Sequence, residues 1–120
     1  MKILVIDDEV EILDAIEKIL LKEGFKVEKA SSLSEGKSKI NASDFDLVIS
    51  DIMLPHWGGF DLVDAIKENP SKPKTPVIII TGMDADILQS THTFADACLP
   101  KPFTRHQLLN VISDVVGKKS

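Results

Sequence analysis

Five short apolar runs punctuate the chain, and between them apolar residues recur at helical rather than alternating spacing. Lys2-Ile3-Leu4-Val5-Ile6, Leu47-Val48-Ile49 and Pro76-Val77-Ile78-Ile79-Ile80 are nearly continuous in apolar, partly β-branched residues, as parallel strands covered on both faces should be. Pro76 fits a first strand position, where a ladder donor can be spared. Phe25-Lys26-Val27-Glu28-Lys29-Ala30 alternates instead, which predicts a half-covered strand near a sheet edge, and Ala95-Asp96-Ala97-Cys98-Leu99 makes a fifth strand. After the first strand, Ile12, Leu13, Ile16, Ile19 and Leu20 mark one helix face, closed by Gly24. Ser32 with Glu35 forms a capping box for a second helix carrying Leu33, Gly36 and Ile40 on one face, with Gly36 weakening it. A third helix bears Phe60, Val63 and Ile66 and ends at Asn69-Pro70. The stretch from Asp84 to about Thr91 is a weaker helix with few apolar anchors. Thr104 with Gln107 caps the last helix, which turns Leu108, Val111, Ile112 and Val115 inward and stops at Gly117. Strands alternating with helices give an α/β fold: a three-layer, doubly wound (βα)5 unit whose five-stranded parallel sheet is covered on both faces by right-handed crossovers.

Two of these strands end in carboxylates. The first runs straight into Asp7-Asp8-Glu9, and the third ends on Asp51, followed by Ile52-Met53-Leu54-Pro55-His56-Trp57-Gly58-Gly59. An Asp after a strand ordinarily starts a turn. Two parallel strands ending in Asp7, Asp8 and Asp51, however, gather three carboxylates at the sheet rim where open α/β sheets place their ligands. Such a cluster needs a cation or raised pKa values at neutral pH, and a hard divalent ion such as Mg²⁺ meets that demand with oxygen ligands. Asp8 also fits a helix N-cap, with Glu11 three residues on, and the two readings are compatible. Asp7 has no capping role in this reading.

Composition narrows the function classes. A chain of 120 residues is read as one domain, 43% hydrophobic and 28% charged, the values of an ordinary globular protein. Its net charge of −5 and lack of a basic stripe argue against direct nucleic-acid binding. The single Cys98 cannot form an internal disulfide, and neither a signal pattern nor a membrane-length apolar run is present, which leads to the expectation of a cytoplasmic protein. His56, His92 and His106 lack ligand spacing, so no zinc site is expected.

The acids, with three further motifs, carry a family resemblance. Asp7 and Asp8, the Asp51-x-Met53-x-Pro55 loop with Gly59, Thr81 after the fourth strand, and Lys101-Pro102-Phe103 occur in the order and near the spacing of the receiver domain of two-component response regulators, and the chain from 1 to 120 resembles one such domain. The resemblance implies the flavodoxin-like strand order 2-1-3-4-5, in which strands one and three flank the topological switch point. It implies that Asp51 is phosphorylated by a histidine kinase or a phosphotransfer protein. It further implies that Mg²⁺ (or another divalent cation such as Mn²⁺) is held by Asp8, Asp51 and the backbone carbonyl of Met53, with Asp7 reaching it through water. Lys101, ahead of a bond to Pro102 that is typically cis in the family, would supply a second positive charge, and Thr81 would hydrogen-bond a phosphoryl oxygen. The protein would then act as a signalling module rather than an enzyme, with slow self-dephosphorylation only. It would switch a surface for an unknown downstream protein or a C-terminal output domain.

The chain also departs from the family. Cys98 stands three residues before Lys101, where receivers usually carry an aromatic ring or His, and is read here as a small apolar filler. Gly58 and Gly82 replace commoner residues, and the stretch from Thr81 to Lys101 is about two residues short relative to the resemblance. Without the ring, the segment Gly82 to Phe94 becomes the expected switching element. The departures lend weight to an alternative: a phosphorylation-independent interaction module on a receiver scaffold, against which the complete acidic pocket speaks. A flavodoxin-like enzyme is disfavoured, because no phosphate-cradling glycine loop follows the first strand and a flavin site would not gather three acids.

Overall fold

The computed structural model describes residues 1–51, 75–81 and 97–117, with only the backbone described at Leu33 and Thr81. Within them lie β1 (Lys2–Ile6), α1 (Val10–Lys22), β2 (Lys26–Ala30), α2 (Leu33–Ala42), β3 (Leu47–Asp51), β4 (Val77–Thr81), β5 (Ala97–Pro100) and α3 (Arg105–Gly117). The five strands form one sheet in the order β2-β1-β3-β4-β5, with every neighbouring pair parallel. The expected sheet and its order are therefore present. The expected helices after Asp51 and Gly82, and the segment Gly82 to Phe94, lie outside the described residues.

Period-two alternation of the strands divides the core. Ile3, Val5, Leu47, Ile49, Ile78, Ile80 and Leu99 form one buried cluster with Leu13, Ile16 and Leu20 of α1 and Leu108, Ile112 and Val115 of α3. On the opposite face α2 lies against β1, so closely that a Cβ on Gly36 would stand 2.5 Å from Ile6 Cδ1. The glycine that weakens this helix by propensity is what lets it approach the sheet. Strand β2, at the sheet edge, buries only Ala30 fully, as its alternation predicts.

Local signals hold the helix ends in place. Ser32 Oγ accepts the Glu35 amide at 3.2 Å, and Glu35 Oε1 accepts the Ser31 amide at 2.6 Å. Thr104 and Gln107 complete a reciprocal box at 3.1 and 2.8 Å. At the end of α1, Gly24 takes φ +84°, the Gly24 amide reaches the Leu21 carbonyl and the Phe25 amide the Leu20 carbonyl, which is a Schellman closure. This closure uses Phe25, so β2 begins at Lys26, one residue later than expected.

The start of α1 differs from expectation. Its N-cap is Glu9 rather than Asp8, and no side chain caps it. Instead Asp7 Oδ1 accepts the Glu9 amide at 2.9 Å, turning the chain out of β1, and the Glu9 carbonyl accepts the amides of Ile12 and Leu13. The local role assigned to Asp8 thus belongs in part to Asp7, because the short Asp side chain reaches an amide two residues on.

Candidate functional site

Parallel pairing brings the carboxyl ends of the strands to one rim. Ile6 stands beside Ser50 in the β1–β3 register, so Asp7 and Asp51 follow one step further on adjacent strands. Asp51 pairs with Ile80 of β4, and Thr81 with Pro100 of β5. Lys101 follows Pro100 directly, and its bond to Pro102 is cis. Sequence separations of 50 and 94 residues collapse at this point. Lys101 Nζ donates to Asp51 Oδ2 at 2.7 Å and to Asp7 Oδ2 at 3.1 Å.

These groups are withdrawn from water to different degrees. The side chains of Asp7 and Asp51 are 0% and 3% exposed, that of Lys101 is 18% exposed, and Asp8 and Glu9 face solvent. Burial pushes the Asp7 carboxyl above the usual carboxylate range; the Glu9 amide and the Lys101 ammonium oppose this, and the nearby Asp51 charge adds to it. Burial works against the Lys101 ammonium as well, but its hydrogen bonds to Asp51 and Asp7 and their charges outweigh it, so its pKa is raised. Lys101 faces two carboxylates at once, which is why its charged form is favoured despite burial.

Carboxylate oxygens of Asp7, Asp8, Glu9 and Asp51 all lie within 4.8 Å of one another. An all-oxygen, strongly anionic set of this kind suits a hard divalent ion, and one ammonium does not neutralise it. Three of the four, Asp7, Asp8 and Asp51, are residues singled out in the sequence. Glu9 was missed as a site residue; the signal was available, as the third acid in the Asp7-Asp8-Glu9 run. Met53 and the rest of its loop lie outside the described residues, as does Gly82; Thr81 ends β4 at the same rim. Cys98 sits half-buried on β5 beside Ile79, and burial pushes its thiol pKa up, in keeping with a small filler.

Comparison with known proteins agrees with this geometry. Residues 3–113 match the family model described as response regulator receiver domain. The chain is 33% identical over 121 residues to a transcriptional regulatory protein CpxR homolog of Haemophilus influenzae, covering 99% of this chain and 52% of the relative. It is 36% identical over 110 residues to the regulatory protein VanR of Enterococcus faecium, covering 90% and 46%. The chain thus spans about half the length of these curated relatives. Among solved structures it is similar to the chemotaxis response regulator CheY4 of Vibrio cholerae, with TM-score 0.86, 31% identity, and 95% and 97% of the two chains covered. A response regulator receiver domain protein from Clostridium thermocellum superposes with TM-score 0.84 at 36% identity, covering 98% and 95%. With the sheet order, the rim acids and the family match in agreement, the chain belongs to the response regulator receiver domain family of two-component systems, a signalling domain rather than a catalytic enzyme.

Proposed function

We propose that residues 1–120 form one receiver domain that accepts a phosphoryl group on Asp51 from a histidine kinase or phosphotransfer protein. The observation that carries this reading is the buried Asp51 carboxylate at the end of β3, held at 2.7 Å by Lys101 beside Asp7. In the transfer, an Asp51 carboxylate oxygen attacks the phosphorus of a phosphohistidine. The new O–P bond forms as the P–N bond breaks, and the imidazole leaves with the electron pair. Lys101 positions the carboxylate and then faces charge on the phosphoryl oxygens. Asp8, Asp51 and the Met53 carbonyl would hold a divalent cation, Mg²⁺ or Mn²⁺, with Asp7 behind a bound water. When bound, the cation neutralises the crowded carboxylates and the equatorial phosphoryl oxygens. Thr81, at the same rim, hydrogen-bonds a phosphoryl oxygen and reports the modification.

The acyl phosphate hydrolyses slowly at the same site, which makes the domain a timed switch. The two curated relatives are about twice the length of this chain and are named as transcriptional or regulatory proteins, which supports an attached output domain, whereas the similar chemotaxis regulator of nearly equal length supports a separate downstream protein. Among the described residues no helix is long and apolar enough to cross a membrane, and a cytoplasmic site of action fits a kinase-fed acceptor. Incubation with a small phosphodonor and Mg²⁺ should add one phosphoryl group by intact mass, and Asp51→Asn should add none. Undiminished labelling of that variant, or labelling after complete chelation, refutes the assignment.

A further inference from the structure

Lys101 reaches the rim acids from a turn with little else to hold it. It follows the last residue of β5, and among the described residues no turn or loop backbone hydrogen bond involves Lys101, Pro102 or Phe103. The capping box of Thr104 with Gln107 is internal to the start of α3. Arg105 meets Glu23 at 3.1 Å, but these side chains are 55% and 39% exposed, and such a pair holds little. Of the described residues from Pro102 to Gln107, only Phe103 is not exposed. It packs against the buried cluster that α1 shares with the sheet and α3. Apolar packing at Phe103 is therefore the described contact that fixes the turn between Lys101 and α3.

A groove of about 430 Å³ is lined by Ile12, Ile16 and Ile19 of α1 and by Lys101, Pro102 and Phe103. It leaves the turn room to shift on that side, so nothing there takes over if the ring is cut back. Helix α1 itself starts from the rim, since Asp7 Oδ1 accepts the Glu9 amide and the Glu9 carbonyl accepts those of Ile12 and Leu13. One helix thus begins at the turn that follows Asp7 and faces the turn that follows Lys101 along its side. An ammonium on a long, flexible stem keeps 2.7 Å to Asp51 and 3.1 Å to Asp7 only while its backbone stays in place. A displacement of about 1 Å at a reacting centre can cost about a hundredfold in rate. Resting on the receiver reading above, we infer that Phe103 is a positioning residue for phosphoryl transfer: its packing against the core beside α1 holds the Lys101 ammonium on the Asp51 carboxylate. A core residue without this role would add stability and leave the transfer rate alone.

The initial rate at which a small phosphodonor with Mg²⁺ labels Asp51, taken per folded protein, supplies the readout. Phe103→Leu should slow labelling about fivefold, because the shorter side chain leaves the turn slack. Phe25→Leu shortens another half-buried ring packed on the same cluster, ahead of β2 at the far end of the sheet, and should leave the rate within about 1.5-fold of wild type. In a Lys101→Met background, where there is no ammonium to place, Phe103→Leu should change the residual rate by less than about 1.5-fold. A wild-type rate in Phe103→Leu, an equal slowing in Phe25→Leu, or the same factor lost with and without Lys101 overturns the role of Phe103 and leaves the receiver site standing. Wild-type protein that takes no phosphoryl group on Asp51 overturns the receiver reading, and this role with it.

Discussion

Two lysines in this molecule each hold two carboxylates at nearly the same distances, with opposite consequences. Lys29 on β2 reaches Asp14 at 3.0 Å and Glu17 at 3.1 Å on α1, and Lys101 reaches Asp51 at 2.7 Å and Asp7 at 3.1 Å. The carboxylate side chains of Asp14 and Glu17 are 49% and 29% exposed; those of Asp51 and Asp7 are 3% and 0% exposed. Around Lys29, water competes for every charge, so the cluster adds little and its loss is easily absorbed. Around Lys101, water cannot replace the lysine, and the carboxylates depend on whatever cation the site supplies. Distance alone therefore does not separate the two clusters. Burial does, and under the proposed function the buried cluster is the one that would exchange one counter-charge for another.

Removing each lysine is the most forceful way to break this comparison. Lys101→Met leaves Asp7 and Asp51 buried without their ammonium, and should destabilise the metal-free protein at neutral pH by roughly 2–3 kcal/mol in urea unfolding. Mg²⁺ should restore most of that loss, since an ion bound only by the folded state stabilises it by mass action. A metal-free Lys101→Met protein as stable as wild type would remove the distinction between the two clusters.

Acidification should produce a smaller effect with a definite sign. The Asp7 carboxyl has a raised pKa in the folded protein, chiefly through burial. Below the unfolded value near 3.8 it is protonated in both states and costs nothing. As pH rises through the window up to the folded pKa, the unfolded chain loses this proton first, so the contribution of Asp7 to stability falls and stays low above it. Metal-free wild type should therefore gain from this group on acidification from neutrality into that window, and Asp7→Asn should lack this component of the pH profile. Identical profiles for the two proteins would remove Asp7 as the source. The smallest effect belongs to the exposed cluster. Lys29→Met should leave the urea midpoint nearly unchanged, and whatever difference exists at low salt should shrink as salt is added. A large, salt-insensitive loss would show that exposure does not govern these pairs.

How much of the site was legible in the chain depends on the range of the contacts involved. Asp7, Asp8 and Asp51 were visible because a strand that ends in an acid delivers it to the sheet rim, and parallel pairing makes every such rim the same one. Lys101 was visible only through its family resemblance, since a lysine between two prolines has no local pattern that points to Asp51. Glu9 was overlooked because sequence spacing assigns a residue to the start of a helix but says nothing of which oxygens its carboxylate meets. The switching role expected of Gly82 to Phe94 lies outside the described residues, so the contrast between Cys98 and the usual ring rests on β5 alone.

The sequence by itself determined what depends on near neighbours: five strands from their apolar runs, the Ser32 cap of α2, whose Glu35 partner reaches back to Ser31 rather than to Ser32, the reciprocal box of Thr104 with Gln107, and the closure of α1 at Gly24. Those signals act over a few residues, where backbone geometry leaves few choices. Only the tertiary structure decided that Gly36 is a point of close approach to Ile6 rather than a flaw in α2, and that Asp7 both turns the chain at Glu9 and faces Lys101. It also decided that one ammonium is shared between acids 50 and 94 residues away. Such contacts depend on packing the helices against the sheet and on pairing the strands, and a buried charge acquires its partner only when the chain has closed around both.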